Sequence, residues 1–285
     1  MLRFTANGAV EAPGVLQVRI TERFDGRIGA GAPHPTASMS AEALASNLAF
    51  FSTERAGRER RCTALVVSGA GVSADPSLMA SLCAAPQMGF DRITRHLAPG
   101  EAQAFLRSPI AGIVTSVAIP VRASSETAAV QALATSHSAH VTAVVPLDEA
   151  GVRRCVELAE ALVEVRPDRV VFTWPLTGAP PPPAELAARV AEEACETLAA
   201  AGIAAGIKGL PACRLEQPNR LWRSANRWYV DVDHQRENAL LFFPNVVRFV
   251  KGDACRFCAA DGRCDGAPAA WVEAGLAGPF EPQSL

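Results

Sequence analysis

The sequence predicts an α/β protein in which a parallel sheet is followed by a small metal-binding extension. Through residues 15–207, short apolar or alternating runs typical of strands alternate with segments of helical apolar spacing. Repeated β-α units indicate a parallel sheet, because parallel strands need a helical crossover. About six or seven such units precede Gly209, which is short of the eight of a closed barrel.

The predicted elements follow one another in chain order. The strands cover residues 15–21, 63–68, 91–97, 112–121, 140–145, 169–174 and 203–207. The helices cover residues 40–53, 76–84, 101–107, 126–134, 148–165 and 184–201. Period-two alternation identifies the first strand, and Pro76 is a typical first residue of a helix.

The pattern changes after Gly209, where we place a domain boundary. Residues 1–208 would form the sheet domain and residues 209–285 the extension. Residues 211–227 are rich in turn residues and arginine, and residues 228–232 and 240–250 resemble strands.

Composition excludes several classes of protein. The chain has 285 residues, which suffice for one large α/β domain and a small appendage. A formal charge of −2 gives no electrostatic case for binding nucleic acid or an anionic membrane. No apolar run approaches the roughly 20 residues of a membrane span. The first residues lack the apolar core of a signal peptide, so we expect a cytoplasmic protein.

Four cysteines near the end of the chain form a complete set of thiolate ligands. Cys213 lies in Leu-Pro-Ala-Cys, and Cys255, Cys258 and Cys264 form Cys-x2-Cys-x5-Cys. Four thiolates suit a structural zinc ion or an iron–sulfur cluster, while disulfides are disfavoured in a reducing compartment. The remaining cysteines are predicted to be small buried hydrophobic residues: Cys62, Cys83, Cys155 and Cys195.

Motifs at the end of the chain carry a resemblance to a known family. They are Leu210-Pro211-Ala212-Cys213, Cys255-Arg256-Phe257-Cys258, Cys264-Asp265-Gly266 and Trp271, with Gly275 and Pro282 in the tail. In these motifs the chain resembles radical S-adenosylmethionine (radical SAM) enzymes with a SPASM or twitch extension. The resemblance implies a partial (β/α)6-type parallel barrel, an incomplete TIM barrel, with a small α+β extension. It also implies that the four cysteines hold one auxiliary [4Fe-4S] cluster, with Zn²⁺ as the alternative.

Four positions depart from the family pattern. The family's first strand leads into Cys-x3-Cys-x2-Cys, and the matching positions here are Phe24, Ile28 and Gly31. The place of its Gly-Gly-Glu-Pro-Thr motif reads Gly69-Ala70-Gly71-Val72-Ser73, so Gly71 replaces the acidic residue. Carbon side chains cannot replace thiolate ligands to iron. We therefore expect that the protein neither binds S-adenosylmethionine tightly nor cleaves it.

Two classes of function remain open. The leading hypothesis is a non-catalytic pseudoenzyme that keeps the auxiliary cluster and serves as a binding or partner subunit in peptide modification. Its partner would be a peptide or an active radical SAM relative. The alternatives are an enzyme on the same barrel with chemistry independent of S-adenosylmethionine, or a zinc-stapled structural protein. The charged loop at residues 22–34 is predicted to be solvated, with a new ligand pocket as the less favoured interpretation.

A segment rich in arginine and aromatic residues is a candidate contact surface. It contains Arg214, Arg220, Trp222, Arg223, Arg227, Trp228 and Tyr229. The plain interpretation is packing by Trp228 with the arginines facing water, and the next is a peptide or protein contact near residues 220–229. Nucleic acid is disfavoured because Asp231, Asp233 and Glu237 follow directly.

Overall fold

A computed structural model describes residues 13–21, 35–54, 61–174, 182–223, 226–242 and 246–283. Its centre is a parallel sheet of sequentially ordered strands, which confirms the α/β partial-barrel prediction. The strands are β1 (Val15–Arg19), β2 (Ala64–Ser68), β3 (Arg92–His96), β4 (Ser116–Pro120), β5 (His140–Pro146), β6 (Arg169–Thr173) and β7 (Ala204–Lys208). Each strand pairs in parallel with the next in the chain.

Helices connect these strands on the outside of the sheet. They are α1 (Ala41–Ser52), α2 (Pro76–Cys83), α3 (Ala102–Leu106), α4 (Thr127–Ser136), α5 (Glu149–Arg153), α6 (Cys155–Val165) and α7 (Ala184–Ala200). Asp75 caps α2 by accepting hydrogen bonds from the backbone N–H groups of Ser77 and Leu78. Among the described helices, none combines the length and the apolar character that crossing a bilayer requires.

One predicted helix is divided in two. Residues 148–165 form α5 and α6, with a break at Arg154 rather than a continuous helix. The Arg154 guanidinium donates to the carbonyl oxygen of Arg122 at 3.2 Å and to the Glu157 carboxylate at 2.6 Å. These bonds tie the break to the loop that follows β4.

The sheet continues beyond the predicted boundary at residue 209. Strand β8 (Trp228–Val230) pairs in parallel with β1, and β9 (Leu240–Leu241) pairs antiparallel with β8. The order across the sheet is therefore β7-β6-β5-β4-β3-β2-β1-β8-β9. The position of the domain boundary stays a prediction.

The predicted strand over residues 240–250 is wrong. Its ends are β9 and β10 (Phe249–Val250), which lie in different sheets. The Val247 N–H donates to the Phe242 carbonyl oxygen at 2.9 Å, a contact that a continuous extended strand could not make. Strand β10 instead pairs antiparallel with β11 (Ala267–Pro268), which leads into α8 (Ala269–Glu273).

The two faces of the sheet differ in packing. Side chains alternate between faces along a strand, and the outer set packs with the helices into one core. On β2, Leu65 of the outer face is 0% exposed and Val66 of the inner face is 8% exposed. On β4, Val117 and Ala118 have exposures of 0% and 5%. Residues of both faces are thus buried, and we call the side of the sheet that the inner face lines the lumen.

Candidate metal centre and barrel lumen

The four predicted ligands lie on short turns of the extension. Cys213 is in the 3-10 turn Ala212–Arg214, and Cys255 is in the 3-10 helix Asp253–Phe257, which Cys258 terminates. Cys264 lies three residues before the start of β11. All four are free and partly buried.

Two of these sulfur atoms accept backbone hydrogen bonds. The N–H groups of Ala212 and Gly266 each donate to the Cys264 Sγ at 3.3 Å. The Gln283 N–H donates to the Cys258 Sγ, also at 3.3 Å. Such bonds stabilise negative charge on sulfur and tune iron–sulfur clusters. The chemistry of this donor set fits a thiolate-ligated metal or cluster.

Burial affects the protonation of the best-described thiol. It raises the pKa of Cys264, while the hydrogen bonds from Ala212 and Gly266 lower it. Proximity to Cys213 raises the pKa of Cys264 further. Metal binding at this thiol therefore requires loss of a proton. In the described part of the chain, no three His, Cys, Asp or Glu side chains converge closely enough to hold a metal ion, so the ligand assignment stays a proposal.

Gly266 has a backbone conformation that suits glycine. Its φ is +93°, and a Cβ at this position would lie 2.3 Å from the carbonyl oxygen of Val250. This conformation directs the Gly266 N–H toward the Cys264 Sγ. The glycine of the Cys-x-Gly motif is thus explained by this left-handed backbone conformation, which glycine adopts without strain.

Further contacts brace the cysteine turns against each other. Lys251 donates to the Asp261 carboxylate at 2.6 Å, and the Gln283 side-chain amide donates to the Ala212 carbonyl oxygen at 3.0 Å. A cavity of about 310 Å³ lies beside these turns. It is lined by Ala212, Pro218, Asn219, Leu221, Ala259, Ala260, Arg263 and Gln283.

Trp271 attaches the extension to the barrel. Its side chain is fully buried in the main core, and its indole N–H donates to the Pro182 carbonyl oxygen at 2.9 Å. Its ring centroid lies 3.7 Å from that of Trp174, which follows β6. Aromatic contacts of this size contribute substantially to the stability of a core.

The other four cysteines are mostly core residues, as predicted. Cys62, Cys155 and Cys195 are buried, while Cys83 is only partly buried. Burial raises the pKa of Cys195 to about 12 and that of Cys155 further still. Such thiols are unreactive at neutral pH.

The loop Gly69-Ala70-Gly71 is held by the chain's own side chains. The Thr21 hydroxyl donates to the Ala70 carbonyl oxygen at 2.7 Å, and buried Arg95 donates to the Gly69 carbonyl oxygen at 2.7 Å. The Gly71 N–H donates to the carboxylate of Glu101, which lies 3.7 Å from Arg95. A phosphate at this loop would compete with Glu101.

The segment after β7 lies along the edge of the barrel that β7 forms. Leu221 makes a parallel bridge with Ile207, and the Trp222 N–H donates to the Ile207 carbonyl oxygen at 2.8 Å. The Trp222 ring lies over Gly206, where an added Cβ would be 2.2 Å from the ring. The Arg169 guanidinium lies 5.8 Å from the Trp222 ring centroid. Trp222 therefore covers the inner face of β7.

The structure corrects two residues of the predicted contact surface. The Arg214 side chain does not face water, because it is 6% exposed and pairs with Glu185 at 3.1 Å. Tyr229 is fully buried on the inner face of β8, where its register partner is Gln17 of β1. We use the term polar wall for a buried set of four polar residues: Gln17, Arg19, Tyr229 and Asp231. Burial and then Asp231 raise the pKa of Tyr229, while Arg19 lowers it. The Tyr229 hydroxyl is therefore protonated at neutral pH.

The Asp231 carboxylate contacts the turn that follows it and the Tyr229 hydroxyl. Its Oδ1 accepts from the N–H groups of Asp233 at 3.0 Å and His234 at 2.8 Å, and the His234 Nδ1 lies 2.9 Å away.

Sequence reasoning missed the polar wall and the covering of β7. Two signals pointed to them. Gln17 and Arg19 are polar at alternate positions of a predicted strand, which places them on one face. Gly206 lies inside a predicted strand, where glycine often marks a close approach by another group.

The vacated cluster positions cannot be compared in space. Phe24, Ile28, Gly31 and the rest of the loop at residues 22–34 lie outside the described residues. The departure from the family pattern at these positions is therefore a statement about sequence alone.

Comparisons with known proteins place the fold. No protein-family model matches the sequence, and no curated protein matches it. Among solved structures, SuiB of Streptococcus suis bound to S-adenosylmethionine matches with a TM-score of 0.56 at 9% identity, over 96% of this chain and 75% of that one. A structure titled anSMEcpe with bound AdoMet matches with a TM-score of 0.56 at 11% identity, over 95% of this chain and 93% of that one.

Two further crystal structures of SuiB also match, and the second has the precursor peptide SuiA bound. This chain matches the first with a TM-score of 0.53 at 10% identity and the second with 0.52 at 9%. In both cases the match covers 70% of this chain and 50% of SuiB. The chain therefore shares its overall fold with proteins that have been solved with S-adenosylmethionine bound.

Proposed function

We propose that this protein is a non-catalytic, radical SAM-like binding or partner subunit in peptide modification. One observation carries the proposal. The chain keeps the fold of enzymes solved with S-adenosylmethionine, but its sequence has Phe24, Ile28 and Gly31 where the family's cluster cysteines fall. Neither the two hydrocarbon side chains nor glycine can ligate iron. A protein that keeps this fold but lacks the cysteine ligands of the catalytic cluster is most simply explained as one that has kept a binding function without the catalysis.

The proposal includes one auxiliary [4Fe-4S] cluster in the extension, within residues 209–285. Cys213, Cys255, Cys258 and Cys264 would be its ligands. The backbone hydrogen bonds to the Cys258 and Cys264 sulfur atoms support this assignment. A fully thiolate-ligated cluster has no open iron site, so its contribution would be to hold the extension together. Zn²⁺ is the alternative occupant.

Metal analysis after anaerobic reconstitution tests the cluster. We expect a brown protein with about four irons per chain and matching acid-labile sulfide. The double variant Cys255→Ala with Cys258→Ala should lose the iron, whereas Cys83→Ala should keep it. Stoichiometric zinc without sulfide would contradict the iron assignment. Full iron content in the double variant would contradict the ligand assignment.

Binding and product analysis with S-adenosylmethionine test the loss of catalysis. Calorimetry on the reduced, reconstituted protein should detect no tight binding, and no 5′-deoxyadenosine should form. Formation of 5′-deoxyadenosine that disappears in a Cys255→Ala variant would make the C-terminal cluster the catalytic one and reject the pseudoenzyme proposal.

A peptide is the partner that the comparison favours, because a structural neighbour was solved with its precursor peptide. We place the contact near residues 220–229, where Arg220 and Arg223 remain partly exposed. Arginines central to an interface often contribute about 2 kcal/mol or more to binding. Replacing both arginines with alanine should abolish capture of a partner from the native host, with Arg92→Ala as the control. Equal capture by the double variant would place the interface elsewhere.

A second function remains a candidate because of the polar wall. An enzyme on this barrel, independent of S-adenosylmethionine, would need convergent polar groups near the ends of the strands. Arg19 and Asp231 are such groups at the carboxyl ends of β1 and β8. Turnover of a small metabolite by a monomer without a partner would favour this alternative.

A further inference from the structure

The cavity beside the cysteine turns is also lined by the segment that follows β7. Its volume is about 310 Å³, and its wall is mostly apolar, with Ala212, Pro218, Leu221, Ala259 and Ala260 among the lining residues. This volume is at the lower end of the range of about 300–1,000 Å³ that is typical of ligand pockets. The cavity therefore has room for one or two side chains rather than for a large ligand.

Two polar side chains that line the cavity have no partner within the described part of the chain. Arg263 and Asn219 are exposed residues, and neither side chain makes a hydrogen bond or an ion pair with any residue that the structure describes. Arg263 is also the only charged residue among the described residues that line the cavity. The cavity thus combines an apolar wall with several N–H donors and a positive charge that no acidic lining residue offsets.

These features define the class of ligand. A planar guanidinium binds a carboxylate through two parallel hydrogen bonds, and a neighbouring amide can donate to the same group. The cavity adjoins the candidate contact segment at residues 220–229, because Leu221 belongs to both. We propose that the cavity binds an acidic side chain of the partner peptide, with its carboxylate at Arg263 and Asn219 and an adjacent apolar residue against the wall. This inference rests on the proposed function, since it takes the partner to be a peptide.

The peptide units beside the cavity also hold the cysteine sulfur atoms. Ala212 lines the cavity, and its N–H donates to the Cys264 Sγ at 3.3 Å. Gln283 lines it too, and its N–H donates to the Cys258 Sγ at 3.3 Å. The Gln283 side-chain amide joins the two, because it donates to the Ala212 carbonyl oxygen at 3.0 Å. A peptide packed against Ala212 and Gln283 should therefore slow the loss of the metal that we assign to these cysteines.

Selection from a phage-displayed library of random short peptides tests the ligand class. The target is the reconstituted full chain, with whichever metal it holds. Peptides selected on the parent protein should be enriched in Asp and Glu next to apolar residues. Fluorescence anisotropy with labelled synthetic copies then measures their affinity. Arg263→Glu should weaken binding about tenfold or more, because like charges would face each other. Asn219→Ala should weaken it by a smaller factor.

Arg256→Glu is the matched control. It reverses the charge of an exposed arginine in the same extension that does not line the cavity, so peptide binding should be unchanged. Metal content and circular dichroism check that the variants fold as the parent does. A selected peptide at saturation should slow metal loss to a chelator about threefold or more in the parent and in Arg256→Glu, but not in Arg263→Glu.

The possible failures of this proposal can be told apart. Selected peptides that bind Arg263→Glu as tightly as the parent would overturn the cavity assignment and leave a peptide-binding function intact. Selection of no peptide would overturn both. Dimerisation of the parent that Arg263→Glu abolishes would make a second copy of the chain the occupant and would reject the peptide. Metal loss that bound peptide leaves unchanged would reject the link between the cavity and the cysteine turns.

Discussion

Single residues decide whether the cysteine turns can hold a metal. Gly266 combines a φ of +93° with a position where a Cβ would contact the Val250 carbonyl oxygen. For Gly262, in the same loop, none of the described residues has an atom within 4 Å of an added Cβ. The two glycines therefore form a matched pair for testing.

We expect Gly266→Ala to weaken the site and Gly262→Ala to leave it unchanged. A left-handed conformation imposed on alanine costs on the order of 1–3 kcal/mol, and the steric contact adds to this. The altered backbone would also move the N–H away from the Cys264 Sγ. Iron content and the rate of iron loss to a chelator measure the effect. Equal retention by both variants would show that the N–H···S bond does not matter.

Trp271 is the residue that attaches the extension to the core. We expect Trp271→Ala to lower the free energy of unfolding by about 3–5 kcal/mol, because a large buried side chain and its hydrogen bond are lost. Phe257 belongs to the same extension and is 75% exposed, so Phe257→Ala should have little effect. Urea denaturation of both variants provides the comparison. A small effect at Trp271 would mean that the extension does not rely on this contact.

At the scale of elements, the barrel edge at β7 is covered by a neighbouring segment. Gly206 and Trp222 fit together because the strand lacks a side chain where the ring lies. Strand β8 occupies the opposite edge, beside β1. The two edges of the partial barrel are thus each paired by residues that follow the predicted boundary at residue 209.

A double-mutant cycle tests this contact. Gly206→Ala should destabilise the protein, because the added methyl group would overlap the Trp222 ring. In a Trp222→Ala background the same change should cost less, giving a coupling energy of about 1–3 kcal/mol. Thermal or urea unfolding of the parent, the two single variants and the double variant gives the four values needed. Strict additivity would contradict close packing of the pair.

For the whole molecule, loss of the metal should affect the extension and spare the sheet. Residues 249–283 contain short elements and few buried side chains besides Trp271, whereas β4 and β5 lie at the centre of the main sheet. Metal binding and ordering of such small units are coupled.

Hydrogen exchange before and after chelation measures this difference. Backbone amides of Ala212, Gly266 and Gln283 should lose protection when the metal is removed, because their sulfur acceptors become neutral thiols or move. Amides of β4 and β5 should keep their protection. Uniform loss across the chain would mean that the metal stabilises the entire fold.

The sequence by itself determined the order of strands and helices and the set of four cysteines. Both depend on local information: side-chain periodicity sets the face of each element, and cysteine spacing sets the ligand count. Local information also misled. Apolar residues 240–250 look continuous in sequence, but their two ends, β9 and β10, belong to different sheets.

Only the tertiary structure decided which distant residues meet. Three such contacts depend on how the sheet curves and where the chain returns to it. They are the pairing of β8 with β1, the packing of Trp222 on Gly206 and the ion pair of Glu101 with buried Arg95. Tyr229 looked like a surface aromatic in the sequence, and register with Gln17 placed it in the lumen. Contacts between residues far apart in the chain leave no periodic signal, because they arise from packing rather than from local backbone preference.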